Sequence, residues 1–192
     1  MKIGIIGKGN VGTALSEGLR RAGHEVAFGH RDPREPVEKA AAWGDVIVLA
    51  VPHIAVKDTV RHIGSAADGK TVIDVTNALK DNMELSVGFT TSAAEELQKL
   101  LPDAFVVKAF NTVFARNQSS GKIRNERLTA FIAGDDARAK NTVMRLAEDI
   151  GFEPVDCGTL KAARYLEPMA VLMINLGIML EMGTDIGFKL IK

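Results

Sequence analysis

A single cysteine, Cys157, stands among the 192 residues of the chain. That excludes an intrachain disulfide and points to a reducing, cytoplasmic compartment, with Cys157 expected as a small buried hydrophobe. An excess of either charge is also missing. The 24 Lys and Arg residues balance 24 Asp and Glu, so no overall field recommends nucleic acid or an anionic membrane as a partner. No apolar run is long enough to cross a bilayer, which takes about 20 residues. The longest, Pro168 to Met182, contains Asn175 and is flanked by Glu167 and Glu181. Membrane insertion is not expected, and a first strand opening at Lys2 leaves no place for a removable signal peptide. A Ser-His-Asp set, paired carboxylates, metal-ligand spacing, internal repeats and low-complexity tracts are all lacking, so no metal site is expected. The length suits one domain with a small appendage.

What is present begins at the first strand. Lys2 to Ile6 runs without a gap into Gly7-Lys8-Gly9-Asn10-Val11-Gly12. Apolar residues then recur at helical spacing (Val11, Leu15, Leu19, Ala22), and Gly23 stands where a helix would stop. A glycine triplet alone is a weak signal, but between a strand and a helix it marks a dinucleotide-binding turn. Gly7 allows the tight turn, Gly9 lets the backbone approach a pyrophosphate, and Gly12 lets helix and strand pack closely. The free N–H groups and positive dipole end of the helix would hold the anion. The six residues from Gly7 to Gly12 are the first predicted cofactor contacts.

Further strands are expected at Glu25–Gly29, Asp45–Val51, Thr71–Val75, Ala104–Phe110, Leu128–Ala133 and Glu153–Asp156. The unbroken β-branched run of the third is what a parallel strand covered on both faces looks like. Helices are expected at 37–43, around 56–63, after the capping box Ser92-Ala-Ala-Glu95, and after Gly134-Asp-Asp136. Residues 77–91 and 115–126 read as loops, and 160–182 as helix with an interruption at Pro168. This order gives an α/β fold: a Rossmann-type, doubly wound, mostly parallel sheet with a short C-terminal helical segment. The expected division is a nucleotide-binding domain at 1–158 and a helical segment at 159–192.

The acid that usually holds the NAD ribose would stand at the end of the second strand. There the sequence reads Gly29-His30-Arg31-Asp32-Pro33-Arg34. Cationic donors in that place favour the 2′-phosphate of NADP, with His30, Arg31 and Arg34 as its contacts; the alternative is a solvated turn in which Asp32 takes the NAD ribose. Ligands of open α/β sheets bind over the C-terminal ends of the strands. Val51, Pro52, His53 and Asn77 are therefore further cofactor contacts, and His53, Asn77 and Asn111 are candidates to position the nicotinamide and its acceptor. With no acid–base set in sight, hydride transfer between stacked heterocycles, which depends on positioning, fits best.

The pattern Met1-Lys-Ile-Gly-Ile-Ile-Gly-Lys-Gly-Asn-Val-Gly12, with Ala22-Gly-His-Glu-Val26 and Gly29-His30-Arg31, resembles the NADP-dependent oxidoreductases that act on coenzyme F420. So do Ala50-Val-Pro52, Gly134-Asp-Asp136, Pro154-Val-Asp-Cys-Gly158 and Glu181-Met-Gly-Thr-Asp-Ile-Gly-Phe188. The core, notably Val106-Val-Lys-Ala-Phe-Asn111, is also similar to the cytosolic NADPH domain of the six-transmembrane metalloreductases. The resemblance implies NADP on the glycine loop and an acceptor heterocycle, F420 or a flavin (FMN or FAD), near the nicotinamide. Two departures from the F420 enzymes, Thr76-Asn-Ala-Leu-Lys80 and Asn111, leave the acceptor open between the two. The alternatives are an NADPH-dependent flavin or ferric reductase, a dehydrogenase or imine reductase, and a non-catalytic NADP-sensing module. Arg116, Lys122, Arg124 and Arg127, joined by Lys108, are expected to form a basic rim that attracts an anionic acceptor. The apolar 168–182 segment, with four of the seven methionines, is expected to be a homodimer contact.

Overall fold

The computed structural model describes residues 1–80 and 82–191. Its described residues form a seven-stranded sheet in the order β2-β1-β3-β4-β5-β8-β9. The strands are β1 (Lys2–Ile6), β2 (Glu25–Gly29), β3 (Val46–Leu49), β4 (Thr71–Asp74), β5 (Phe105–Lys108), β8 (Thr129–Gly134) and β9 (Glu153–Asp156). All neighbours are parallel except β5 and β8, where Lys108 pairs with Ala133 across an antiparallel step. The central strands are short and apolar: every residue of β3 is buried. Such strands bury both faces, so helices must cover each side.

The helices are α1 (Asn10–Arg21), α2 (Val37–Trp43), α3 (Val56–Ile63), α4 (Ala93–Leu100), α5 (Ala115–Gln118), α6 (Ala137–Ile150) and α7 (Ala163–Ile174). One core layer gathers Ile3, Ile5, Leu15, Leu19, Val143 and Leu146 between the sheet and helices α1 and α6. The other gathers Ile47, Leu49, Val60, Ile63, Leu97 and Val106 beneath α2, α3 and α4. Ser92 caps α4 by accepting the Glu95 N–H, and Asp136 caps α6 by accepting the Ala139 N–H.

Two expectations are corrected. Residues 115–126 are not a loop throughout: α5 is followed by a two-stranded hairpin of β6 (Lys122–Ile123) and β7 (Glu126–Arg127). The C-terminal helix runs on through Pro168, widens at Asn175–Met179 and ends at Leu180. Pro168 removes one N–H, but helix contacts on either side keep the element continuous.

Lys108 departs furthest from expectation. It is not on a basic rim; it is fully buried. Its Nζ donates to Asp74 Oδ2 at 2.9 Å and to the Thr76 carbonyl at 2.7 Å, and lies 3.3 Å from Glu167 Oε1. Glu167 in turn accepts the N–H groups of Ala93 and Ala94 at the start of α4. Burial alone would push the Lys108 ammonium down, but Asp74 and Glu167 more than offset this and hold it above its ordinary value. The cluster ties β4, β5, α4 and α7 together. Replacing Lys108 with Met should cost about 3–5 kcal/mol in urea unfolding at neutral pH, because two carboxylates would stay buried with no cation. Since a raised lysine keeps its charge until the pH passes its folded-state value, the stability it adds to the unmodified protein should persist through mild alkali. It should fade only above the ordinary 10.5.

Candidate functional site

The chain reverses between β1 and α1 at backbone distance. A Cβ on Gly12 would lie 2.1 Å from the Gly7 carbonyl oxygen, and one on Gly7 would lie 2.2 Å from that of Ala50. Gly7 also has φ +112°, a conformation that other residues rarely adopt. Gly9 is different: a Cβ there would meet nothing within 4 Å. The protein itself does not require that glycine, and the open space above it is where a ligand backbone would press. Gly9 is the N-cap of α1, and no side chain caps the helix, so the first-turn N–H groups are available to an anion.

A cleft of about 830 Å³ opens over this turn. Its floor is Gly7, Lys8 and Gly9; one wall is the segment 29–33 after β2, with the start of α2; the other is Ala50, Val51 and Pro52 after β3. Ala55, Asp58, Thr59 and His62 close the far side. These four lie on the face of α3 and its lead-in turn next to the one that buries Val56, Val60 and Ile63. Their spacing of three and four residues was legible in the sequence, but nothing there indicated which face met the cleft.

Of the predicted contacts, Gly7, Lys8, Gly9, His30, Arg31, Val51 and Pro52 line the cleft. Asn10, Val11 and Gly12 form the first turn of α1 behind it. Arg34 does not line it: its Nε and Nη2 are taken by Asp32, the latter at 2.6 Å. That bond to Arg34 holds the Asp32 carboxyl down at about 2. Arg31 is exposed and makes no ion pair among the described residues. Glu35, which no local pattern marks as part of the site, holds Lys8 and His30 together.

His53 opens a short turn after Pro52, and its Nδ1 is buried without a protein partner. It is not among the residues lining the cleft. Asn77 and Asn111 meet beyond the ends of β4 and β5. Asn77 Nδ2 donates to the Asn111 carbonyl, and Asn111 Nδ2 donates to Asn77 Oδ1, both at 3.3 Å. Asn111 Nδ2 also donates to the Leu166 carbonyl in α7, while its Oδ1 is buried and unpartnered. The residue before it, Phe110, has φ +64°, a strained value for an aromatic residue. Gln118, unforeseen from the sequence, holds that bend by donating to the carbonyls of Phe110 and Val113. Five residues past Asn77, a second groove of about 490 Å³ runs between residues 82–89 and the 168–179 stretch of the C-terminal helix. Met83, Phe89, Val171, Leu172 and Met179 give it an apolar lining.

The remaining basic residues do not assemble around the cleft. Arg127 is bound to the carbonyls of Gly151 and Phe152, and Arg116 lies 3.9 Å from Asp185. Ser119, just before the hairpin, touches Gly18 and Arg21 in the last turns of α1, at the opposite end from the glycine loop.

Residues 2–78 match the family described as NADP oxidoreductase, coenzyme F420-dependent. The chain is 31% identical to the F420-dependent NADP reductase of Methanothermobacter marburgensis, with 93% of each covered. It is also 31% identical to Metalloreductase STEAP3 of Rattus norvegicus over 90% of this chain, and spans only 37% of that protein's length. Among solved structures, a candidate F420-dependent NADP-reductase from Arthrobacter sp. FB24 superposes with a TM-score of 0.93 at 26% identity, covering 100% of both chains.

The two glycine environments separate folding from binding. Gly9→Ala should leave unfolding free energy within about 0.5 kcal/mol of the unmodified protein while weakening dinucleotide binding about tenfold or more. Gly12→Ala should lose both, as denaturant titration beside nucleotide titration would reveal.

Proposed function

Because the chain belongs to the F420-dependent NADP reductase family, we propose that it transfers hydride between NADP(H) and coenzyme F420. The observation that supports this reading is the glycine-floored cleft whose second-strand wall carries Arg31, without an ion pair among the described residues, beside His30, while the neighbouring Asp32 is held by Arg34. NADP(H) would supply the hydride or receive it. The chain's own part is to bind and orient. The α1 N-terminus, with Gly7 to Gly12, would take the pyrophosphate, and Arg31 with His30 the 2′-phosphate. Val51 and Pro52 would pack along the cofactor, while Asn77 and Asn111 would present amide groups to the nicotinamide at the strand ends.

The acceptor ring would lie in the apolar groove between residues 82–89 and the C-terminal helix, whose Leu166 carbonyl is bonded to Asn111 of the Asn77–Asn111 pair. Residues 159–192 would then be an acceptor-site and dimerisation element beside the nucleotide-binding 1–158. Leu172, Ile178, Met179, Leu180 and Met182 are each about half or more exposed, an apolar surface that a homodimer would cover; sedimentation as a monomer at micromolar concentration would reject it. A second reading, an NADPH-dependent reductase of FMN or FAD that passes electrons to ferric iron, is favoured by the match to the metalloreductase and by Asn111 in the segment after β5. We place the activity in the reducing cytosol on the strength of the single cysteine.

Mixing the protein with NADPH and either F420, FMN or FAD, and following the reduced nicotinamide band, tests both readings. Oxidation with F420 is expected; turnover with flavins alone would favour the second, and none with any acceptor would leave a nucleotide sensor. Arg31→Ala should weaken NADPH binding by roughly one to two decades, the equivalent of about 1.5–3 kcal/mol for a charged hydrogen bond, and leave NADH nearly unaffected. Equal loss of both nucleotides would sink the assignment of Arg31.

A further inference from the structure

The turn from His30 to Glu35 carries a charge arrangement that hydride transfer does not call for. A hollow of about 510 Å³ beside the main cleft is lined by Lys8, His30, Asp32, Arg34 and Glu35 alone. Glu35 Oε2 lies 2.8 Å from Lys8 Nζ and 2.5 Å from His30 Nε2, and its Oε1 lies 3.0 Å from Lys8 Nζ. The carboxylate thus sits between the one lysine of the glycine loop and the histidine that follows β2. His30 Nδ1 accepts the Asp32 N–H at 3.2 Å, so Nε2 carries the ring proton and donates to Glu35. Backbone bonds hold the turn without help from the carboxylate: His30 N–H donates to the Glu35 carbonyl, and Glu35 N–H to that of Asp32.

We propose that Glu35 is an internal counter-anion that the 2′-phosphate of the cofactor replaces, so that this carboxylate sets how strongly the protein prefers NADP(H) over NAD(H). The inference rests on the NADP(H) reading above and goes beyond it. Charge addition explains the effect. Lys8 and Arg34 are paired with Glu35 and Asp32, so among the described residues of this turn Arg31 is the cation left without an ion pair to greet an incoming phosphate. Moving Glu35 aside frees Lys8 and His30 as two further donors. The exchange is feasible because Lys8 and Glu35 are 46% and 38% exposed, and ion pairs so exposed are weak. A phosphate brings more charge and three acceptor oxygens to the same donors. A nucleotide without the 2′-phosphate has nothing to trade for Glu35 and leaves it in place.

Calorimetric titration of the unmodified protein, Glu35→Gln and Glu35→Asp with adenosine 2′,5′-bisphosphate and with 5′-AMP tests this without any redox turnover. Glu35→Gln should bind the 2′,5′-bisphosphate about three- to tenfold more tightly, with a distinctly smaller gain for 5′-AMP, which lacks the 2′-phosphate, and an unaltered melting temperature. Glu35→Asp, which keeps the charge, should stay close to the unmodified protein. Unchanged or weaker 2′,5′-bisphosphate binding by Glu35→Gln, in a chain that still prefers it, overturns the role of Glu35 alone. Loss of 5′-AMP binding by Glu35→Gln would mean that Glu35 grips a ribose hydroxyl instead and would overturn the proposal. An unmodified protein with no preference for the 2′-phosphate overturns the NADP(H) reading and this proposal together.

Discussion

Strand β1, helix α1 and strand β3 meet at backbone distance, and the rest of the molecule depends on that approach. With hydrogens in place of side chains at Gly7 and Gly12, the start of α1 settles onto the end of β1, and the Ala50 carbonyl closes in from β3. The sheet order reverses at the same place, since β1 lies between β2 and β3. The two crossovers then leave on opposite faces, and a crevice must open between them. One wall of the cleft is therefore whatever follows β2, and the other whatever follows β3. Loop chemistry at 30–35 and 50–52 can vary without disturbing the frame, because the frame is held by backbone and by the buried apolar residues beneath it.

A second constraint acts at the far end of the cleft. The buried Lys108 carries one positive charge against the carboxylates of Asp74 and Glu167, and the surplus negative charge is met by the two N–H groups at the start of α4. Each partner comes from a different element. Satisfying the cluster fixes α7 over the ends of β4 and β5, and Asn111 bonds to the Leu166 carbonyl one residue before Glu167. Arg164, one turn earlier, grips Glu95 through two bonds and holds that carboxyl below its usual range. The C-terminal helix is thus placed by charge as much as by apolar contact, which frees its outer apolar residues for another purpose.

What the sequence made legible divides along the range of the interactions. The glycine turn, the helix at 37–43, the cap at Ser92 and the strand at 153–156 are set by neighbours within a few residues, and all stand where local pattern places them. The turn pairings and the buried cluster are not local. Lys108 meets Asp74 across 34 residues, and Glu167 meets Ala93 across 74. A lysine ending a strand looks the same in sequence whether it faces water or two carboxylates. Lys8 meets Glu35 across 27 residues, and the short-range pattern Asp32-Pro-Arg34 concealed that Arg34 would be spent on Asp32. Cation count in a segment therefore overstated the charge available to a ligand, at residues 31–34 and again at 116–127.

That overstatement bears on how an acceptor would be recognised. A basic rim requires free cations near the reacting face. Lys108 is buried in its cluster, and Arg127, in the hairpin, is bonded to the carbonyl groups of Gly151 and Phe152. Steering by the protein's overall field is absent as well, since its charges cancel. What the molecule does offer beyond Asn77 is an apolar groove, with Phe89 about three-quarters exposed on one side and Leu172 and Met179 on the other. Met83 and Phe89 both hold positive φ, at +66° and +63°, in the loop that forms this wall. Such values are uncommon for non-glycine residues and mark tight turns in this wall. A flat heterocycle enters an apolar groove through its faces, and its charged tail can stay in water. Under the proposed function, the ring rather than the tail is then what this protein reads, and selection among F420, FMN and FAD falls to the shape of the groove.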